Sequence, residues 1–384
     1  MQDMKKIPLL ICLFISFINI LMLAQINDDE NMQGYSACGY SQNDSDADKE
    51  EKSNSLLIFP VLYYTPETKI AGGVLGGYYF YPSNNPDYSK PSSVTLELLY
   101  TELEQFKTEI TFDIFLSSYR NRLTGAAGYS KFPSKFWGIG NYTATENETL
   151  FIPQSYWLNV SYKRKIIEGL FIGLDYEFNH KNVTFDDPTG AIGLESISGR
   201  TGGTVSRAGL TLNADSRDHL MFPTTGSYFQ AQFFFSDRAL GSDFDFTTLN
   251  LDFRKYGLLS DEIVLAGQMF GSFNWGDIPF YYSAFMGGKY LMRGYYEGRY
   301  RDGSILAFQA ECRLPVYWRI GAALFAGIAQ VAPGPGDFGM DAFKFAYGAG
   351  LRLLWDKEQK LNIRLDLGFA EGQASLYVTI GEAF

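Results

Sequence analysis

The side chains best suited to recognition chemistry lie in residues 287–302, GGKYLMRGYYEGRYRD, between two strand-like runs. This stretch carries four cationic side chains and four tyrosines. An arginine guanidinium keeps its charge at neutral pH and presents a planar set of donors that fits a carboxylate. A loop this long within a series of strands is usually functional or disordered, and its aromatic content argues against disorder. We therefore expect the stretch to fold back into the protein, with Arg293 as its buried anchor.

The residue types that build familiar catalytic sites are scarce in this chain. His180 and His219 are the two histidines, and neither is placed to complete a Ser-His-Asp or Cys-His site. The sequence contains no phosphate-binding loop and no dinucleotide fingerprint. The cysteines Cys12, Cys38 and Cys312 suggest neither a disulfide framework nor a metal site. The sequence therefore predicts a protein that is not an enzyme and uses no cofactor or metal.

Apolar and polar side chains alternate through most of the chain after residue 56. Clear examples are residues 106–116, 305–316, 343–355 and 361–369. A period of two places apolar side chains on one face of a strand and polar side chains on the other. These runs reach about ten to thirteen residues, which is long enough to cross a bilayer when the strand is tilted. Strands in a soluble β-sandwich average about five or six residues.

About sixteen such runs can be counted, and bacterial outer-membrane barrels have an even number of strands. Backbone groups within a bilayer must be paired inside the protein, so strands that span it must close on themselves. The predicted fold is all-β: a transmembrane antiparallel β-barrel of about 16 strands with an inward-folded loop. The alternative is a soluble β-sandwich. We expect short connections such as residues 65–68 and 356–359 to face the periplasm, and longer ones such as residues 186–204 to face the exterior.

The N-terminal part of the chain differs in composition from the rest. Residues 1–24 have a basic start and an apolar centre, which predicts a secretory signal peptide, with an uncleaved membrane helix as the alternative. Residues 25–55 hold eight acids and two bases, so −8 + 2 = −6 of the chain's formal −11 lies there. We interpret this segment as a disordered acidic periplasmic tail, followed by the barrel over residues 56–384. The net acidity argues against nucleic-acid binding.

Three segments resemble parts of a known family. Residues 215–226, DSRDHLMFPTTG, are similar to its D-[ST]-R-D…P-x-x-G turn. The matching positions are Asp215, Arg217, Asp218, Pro223 and Gly226. Residues 291–295, LMRGY, resemble its R-G-[FY] loop tip, and residues 309–315, QAECRLP, resemble the strand that follows this loop. On these motifs the chain is identified as a member of the BamA/TamA-type bacterial surface antigen superfamily of outer-membrane barrels, which it resembles over about residues 56–384.

The resemblance implies that the loop is locked inside the barrel, where its arginine meets acids of the wall. The residues expected to form the lock are Arg293, Gly294, Tyr295 and Glu311. Glu311 has the parity of the lumen face and is expected to accept a bidentate guanidinium bond. The glycine would let the loop approach the wall, and the tyrosine would stack or hydrogen-bond beside it. Gly327 stands where the family commonly has a second acid, so the lock is expected to rest on Glu311 alone or on another acid such as Asp366.

The C-terminal residues resemble the assembly signal of outer-membrane barrels. Phe384 follows an apolar face in a predicted last strand over residues 374–384, and a terminal aromatic of this kind hands such barrels to their assembly machinery. Family members usually carry POTRA modules before the barrel. Residues 25–55 contain no such module, so the chain looks like a barrel-only member.

These features support two hypotheses about function in the bacterial outer membrane. The first is a factor that inserts or translocates protein (or lipid), through the lumen or through a seam between the first and last strands. Its partners would be outer-membrane lipid and polypeptide substrates. The second is a passive pore or structural barrel that works with a separate periplasmic partner protein. Neither hypothesis requires catalysis or a nucleic acid.

Overall fold

The computed structural model describes residues 54–81, 91–116, 120–186, 196–260, 262–356 and 360–384. The predicted signal peptide, residues 1–24, lies outside the described residues, and so does nearly all of the predicted acidic tail, residues 25–55. The first strand begins at Ser55. In the part of the chain that is described, no helix has the length and apolar character to cross a membrane.

Nearly all of the regular structure is β-strand, as the alternating sequence predicts. The strands in chain order are β1 (Ser55–Thr65), β2 (Lys69–Phe80), β3 (Ser92–Thr101), β4 (Phe106–Leu116), β5 (Asn121–Lys131), β6 (Ser134–Phe136), β7 (Thr149–Ile167), β8 (Leu170–Phe185), β9 (Gly202–Asp215), β10 (Gly226–Ser236), β11 (Phe246–Leu258), β12 (Val264–Gly276), β13 (Ala284–Met286), β14 (Tyr300–Asp302), β15 (Ser304–Tyr317), β16 (Ile320–Ala332), β17 (Lys344–Asp356), β18 (Leu361–Ala370) and β19 (Gln373–Ile380). Short 3-10 helices occupy Thr145–Asn147, Arg238–Leu240, Phe280–Tyr282 and Met340–Ala342.

Seventeen of these strands form one antiparallel sheet that closes when β19 returns to β1. The three-residue β6 pairs only with β7 among the described strands, so the other sixteen form the barrel wall. Strands β13 and β14 pair with each other inside the long connection between β12 and β15. The predicted all-β, sixteen-stranded transmembrane barrel is therefore confirmed.

The two faces of the wall have opposite character. On β17, the outward Phe345, Tyr347 and Leu351 are 55%, 52% and 52% exposed, whereas the inward Arg352 is only 4% exposed. Soluble proteins usually bury aromatic side chains and expose arginine. The reversed order fits a wall with lipid outside and polar groups inside.

The connection between β12 and β15, residues 277–303, lies inside the barrel, and we call it the inner loop. It packs against small side chains that β15 to β18 direct into the lumen, and its own apolar side chains complete this core. The small wall residues are Ala307, Ala329, Ala346 and Ala370. Because alanine projects little from the backbone, the loop can lie close to the wall. The largest apolar core of the molecule is therefore inside the lumen.

Strand alternation divides the connections between two ends of the barrel. The loop end carries the inner loop and also the β1–β2 turn, where Glu67 accepts a hydrogen bond from the backbone N–H of Glu297 at 2.8 Å. The terminal end carries the start of β1, the end of β19, the end of β17 and the start of β18. The prediction that residues 65–68 and 356–359 share one end was wrong. Strand order, and not the length of a connection, decides at which end of the barrel the connection lies. The terminal end, for example, also carries the ten-residue connection over residues 216–225.

The barrel closes at a junction that we call the seam. Strands β1 and β19 pair at a single position, Tyr64 opposite Val378. The last strand ends at Ile380 and not at residue 384 as predicted, because Gly381 adopts a φ of 80° and turns the chain inward. Glycine adopts this left-handed conformation at little cost. Along the other edge of β1, residues 55–65 pair with β2. Strand β1 is therefore fully paired on one side and paired at one position on the other.

Candidate functional site

Arg293 lies at the tip of the inner loop and is 2% exposed. One terminal nitrogen donates to Oδ2 of Asp366 at 2.5 Å, and the other donates to Oε2 of Glu311 at 2.6 Å. The guanidinium carbon lies 3.6 Å from the centre of the Phe325 ring. Strands β15, β16 and β18 therefore each supply one side of the site. The expected bidentate bond to Glu311 is replaced by one bond to each of two carboxylates.

Gly294 brings the loop backbone against the wall. Its φ is 121°, and a Cβ at this position would lie 2.8 Å from the carbonyl carbon of Phe369. Its N–H donates to the Tyr377 hydroxyl at 3.2 Å, and its carbonyl accepts from the Ser375 hydroxyl at 3.0 Å. A larger residue would separate the loop from β18 and β19.

The other predicted positions define the rest of the tip. The Tyr295 hydroxyl donates to the carbonyl of Phe345 at 3.3 Å. At Gly327, where a second acid was considered, a Cβ would lie 3.0 Å from the sulfur of Met292. The loop itself therefore fills the space that a side chain would need. Asp366 supplies the second carboxylate from β18 instead.

The two carboxylates are shared with further arginines that the sequence analysis missed. Arg313 Nε donates to Glu311 at 2.8 Å, and Arg352 donates to Asp366 at 2.6 Å. Arg352 also donates to Glu382 at 2.9 Å. All five side chains are no more than 4% exposed. Leaving one buried charge unpaired costs about 3–5 kcal/mol, so these opposite charges hold each other in place.

Arg313 joins segments that are far apart in the sequence. It donates to the carbonyl of Pro223 at 3.3 Å and to the backbone oxygen of Phe384 at 2.9 Å. Its guanidinium carbon also lies 5.4 Å from the centre of the Phe222 ring. The 215–226 turn, the Glu311 site and the C-terminal residues thus meet at one side chain. Its position on the lumen face, two residues after Glu311, is the sequence signal that could have identified it.

The 215–226 turn is built by two carboxylates. Asp215 accepts from Nε and a terminal nitrogen of Arg217 at 2.9 and 2.7 Å. Asp218 accepts from the backbone N–H groups of residues 224 and 225 at 2.8 and 3.0 Å, just before Gly226 begins β10. Burial alone would raise the pKa of Asp218, but hydrogen bonds from the Thr224 hydroxyl and from these two N–H groups outweigh it and leave the pKa lowered. The turn is therefore a fixed structure that directs Pro223 toward Arg313.

A pair of carboxyl groups lies where the inner loop meets the β1–β2 turn. Partial desolvation by the surrounding loop and wall, together with the charge of Glu67, raises the pKa of Glu297 to about 7, although the side chain keeps exposed surface and Lys289 and Arg301 act in the other direction. Burial likewise raises the pKa of Glu67. This part of the loop therefore changes charge near neutral pH.

The family can be assigned once these positions are compared with known proteins. The Omp85 superfamily domain matches residues 85–384. The chain belongs to the Omp85 superfamily. This result confirms the predicted BamA/TamA-type membership. No curated protein sequence matches this Omp85 barrel.

Two solved structures share the fold of this Omp85 barrel. BamA from Haemophilus ducreyi lacking POTRA domains 1-3 superposes with a TM-score of 0.61 and 13% identity, covering 87% of this chain and 71% of that chain. CdiB from Acinetobacter baumannii gives a TM-score of 0.55 and 13% identity, covering 86% of this chain and 60% of that chain. At these identities the likeness concerns the fold.

Proposed function

We propose that this protein is a bacterial outer-membrane barrel that inserts or translocates polypeptides by opening the seam between β1 and β19. The single observation that carries the proposal is the seam pairing, which is limited to Tyr64 and Val378. A net backbone hydrogen bond contributes about 0.5–1.5 kcal/mol, so a junction with so few of them separates more readily than any fully paired pair of strands.

The edge of β1 suits an extended polypeptide as the substrate. Leu56 and Ile58 are 68% and 67% exposed on the outward face, and residues 55–61 continue past the end of β19. An incoming strand can add to such an edge through backbone hydrogen bonds, with its own apolar side chains directed to lipid. The proposed partners are therefore polypeptides in extended conformation and the surrounding membrane lipid.

A disulfide placed across the seam tests this function. The double variant Tyr64→Cys with Val378→Cys joins the one facing pair of β1 and β19, in a chain whose own cysteines are replaced by serine. The matched control, Leu365→Cys with Val378→Cys, joins β18 to β19 through the same residue of β19. We expect oxidation of the seam variant to lower the abundance of other outer-membrane or surface proteins, reductant to restore it, and the control to have no effect.

A surface proteome unchanged by the seam disulfide would contradict the proposal and favour the alternative, a passive pore or structural barrel with a separate periplasmic partner. The inner loop occupies the lumen beside β15 to β18, which disfavours a wide channel. Bilayer conductance that is equal in the oxidised and reduced seam variants would support the pore.

Phe384 is proposed to serve in the assembly of this barrel itself. It is 4% exposed and packs with Tyr256, Ala266 and Ala383 inside the lumen. Deleting Phe384 should lower the amount of folded protein in the outer membrane, measured by its heat-modifiable migration in gels. A normal amount of folded protein in the outer membrane would show that Phe384 has no role in assembly.

A further inference from the structure

The inner loop contacts both strands that border the seam. On β19, the Ser375 hydroxyl donates to the Gly294 carbonyl at 3.0 Å. The Tyr377 hydroxyl accepts from the Gly294 N–H at 3.2 Å and donates to the Tyr295 carbonyl at 3.1 Å. These two side chains lie on the lumen face of the last strand, so the loop tip is bonded to the wall on that side of the seam.

The loop reaches the other side of the seam through the β1–β2 turn. Glu67, which is 7% exposed, accepts the backbone N–H of Glu297 at 2.8 Å. The ammonium of Lys289 also lies 5.1 Å from the centre of the Tyr63 ring on β1, within the range of a cation–π contact. Residues 289–297 therefore bridge the seam within the lumen, because their two ends contact the β1–β2 hairpin and their middle contacts β19.

We propose that the inner loop straps the seam shut from inside the lumen, and that Glu67 is the positioning residue that ties this strap to β1. The backbone of the two strands meets at one position only, so their closure depends on groups outside the ladder. The strap describes how the seam is held closed. It rests on the proposed function only in the assumption that the seam opens.

The contacts also decide which side releases first. On the β19 side, the loop has the three hydrogen bonds of Ser375 and Tyr377, and Arg293 is fixed by Glu311 and Asp366. On the β1 side, it has the bond to Glu67 and the weaker Lys289 contact. The loop therefore stays with β15 to β19 when the seam opens, and the β1–β2 hairpin moves away.

Glu371 provides a matched control at the same end of the barrel. It lies in the β18–β19 turn and accepts from the Tyr300 hydroxyl at 2.8 Å and from Lys344 at 2.9 Å. Both partners lie on the same side of the seam as Glu371. Removing this carboxylate loosens the base of the loop without releasing the loop from β1.

The distance across the seam in the purified full chain tests the strap. Spin labels are attached at Leu62→Cys and Ile380→Cys, which are 38% and 57% exposed on β1 and β19, in a background without other cysteines. We expect a narrow distance distribution in the unaltered chain and with Glu371→Ala. Glu67→Ala should add a longer population, shifted by about 5 Å or more, roughly one strand spacing. Glu67→Gln keeps an acceptor oxygen and should restore the narrow distribution.

If the distance distribution of Glu67→Ala stays narrow, the strap is overturned. It is also overturned if Glu371→Ala broadens the distribution as much as Glu67→Ala does. Heat-modifiable gel migration shows whether each variant is a folded barrel. If Glu67→Ala does not fold, Glu297→Pro removes the donor in place of the acceptor, and the same two outcomes apply. The measurement needs no substrate, so failure of the strap is distinguishable from failure of the proposed insertion activity.

Discussion

Arg293 is held by groups that come from three separate strands, and this arrangement specifies one loop position more than it adds stability. Glu311 and Asp366 each accept one of its terminal N–H groups, and the Phe325 ring covers the guanidinium. A buried ion pair is weak evidence for stability, because desolvation offsets much of the attraction. Removing one partner is nevertheless costly, because the other charges stay buried.

Arg293→Ala should therefore release the loop while the barrel stays folded. Arg313 and Arg352 still pair with Glu311 and Asp366, which keeps the cost near or below the roughly 3–5 kcal/mol of a broken buried pair. Limited proteolysis of the folded protein should cut faster within residues 290–301. Arg319→Ala, in the β15–β16 turn at the terminal end, serves as the control and should leave the digestion pattern unchanged. Equal patterns for all three proteins would show that the arginine does not hold the loop.

The pH dependence of the loop follows from Glu297. Its pKa is raised from 4.5 to about 7 when the loop is docked, mainly by burial and then by Glu67, with Lys289 and Arg301 opposing. A raised folded-state pKa means that docking is fully favoured below pH 4.5 and loses this contribution as pH rises through about 7. Glu67 shifts in the same direction.

Amide exchange of residues 287–302, corrected for its intrinsic pH dependence, should show weaker protection at pH 8 than at pH 5. The variant Glu297→Gln should remove most of this difference in protection between pH 5 and pH 8, because the glutamine side chain does not titrate. Protection that is the same at both pH values in the unaltered chain would contradict the proposed coupling of loop docking to the Glu67 and Glu297 carboxyl groups.

The sequence predicts part of this site and leaves the rest undetermined for a physical reason. Arg293 and Glu311 follow from the loop motif and from strand parity. Arg313 and Arg352 also lie on the lumen faces of their strands. Their partners, however, depend on the register between strands, which no local pattern encodes. Glu382 lies within the predicted last strand, residues 374–384, whereas the turn at Gly381 directs it to Arg352.

At the scale of elements, the inner loop fits because the wall opposite it is made of small residues. The backbone of Gly368 lies so close to the loop that a Cβ there would be 2.7 Å from the carbonyl carbon of Arg293. Close packing of this kind leaves no space for added atoms. The fit between loop and strands β15 to β18 is therefore steric as well as electrostatic.

Gly294→Ala should displace the loop tip from the wall. The added Cβ would lie 2.8 Å from the Phe369 backbone, and overpacking typically costs about 1–3 kcal/mol. Gly241→Ala is the matched control, because Gly241 also has a positive φ, of 86°, but has nothing within 4 Å of the added Cβ. Faster proteolysis of the loop in the first variant only is the expected result. Equal effects of both variants would assign the change to backbone strain.

The strands themselves were largely predictable, because length and alternation are local properties. All sixteen runs form wall strands, with ends that differ by a few residues in most cases. Strand β7, Thr149–Ile167, is longer than the expected ten to thirteen residues, and its first three residues pair with the short β6. Residues 65–68 were assigned to the wrong end because the assignment used connection length. The end of a barrel at which a connection lies follows from counting strands.

The molecule as a whole has a wall with apolar side chains outside, a charged interior and one weakly paired junction. The fold class and strand number follow from the sequence. The limited pairing at the seam does not, because it depends on where the first and last strands each stop. The strap over this seam likewise joins residues 67 and 297, whose contact only the closed barrel creates.

The central claim is that residues 287–302 lie docked inside a membrane barrel. Hydrogen exchange of the protein in lipid nanodiscs, read by mass spectrometry, tests it directly. We expect these residues to exchange as slowly as the strands that surround them. The loop between β16 and β17, residues 333–343, is largely exposed and should exchange fast. Exchange of residues 287–302 as fast as that of residues 333–343 would contradict the docked loop and the strap that depends on it.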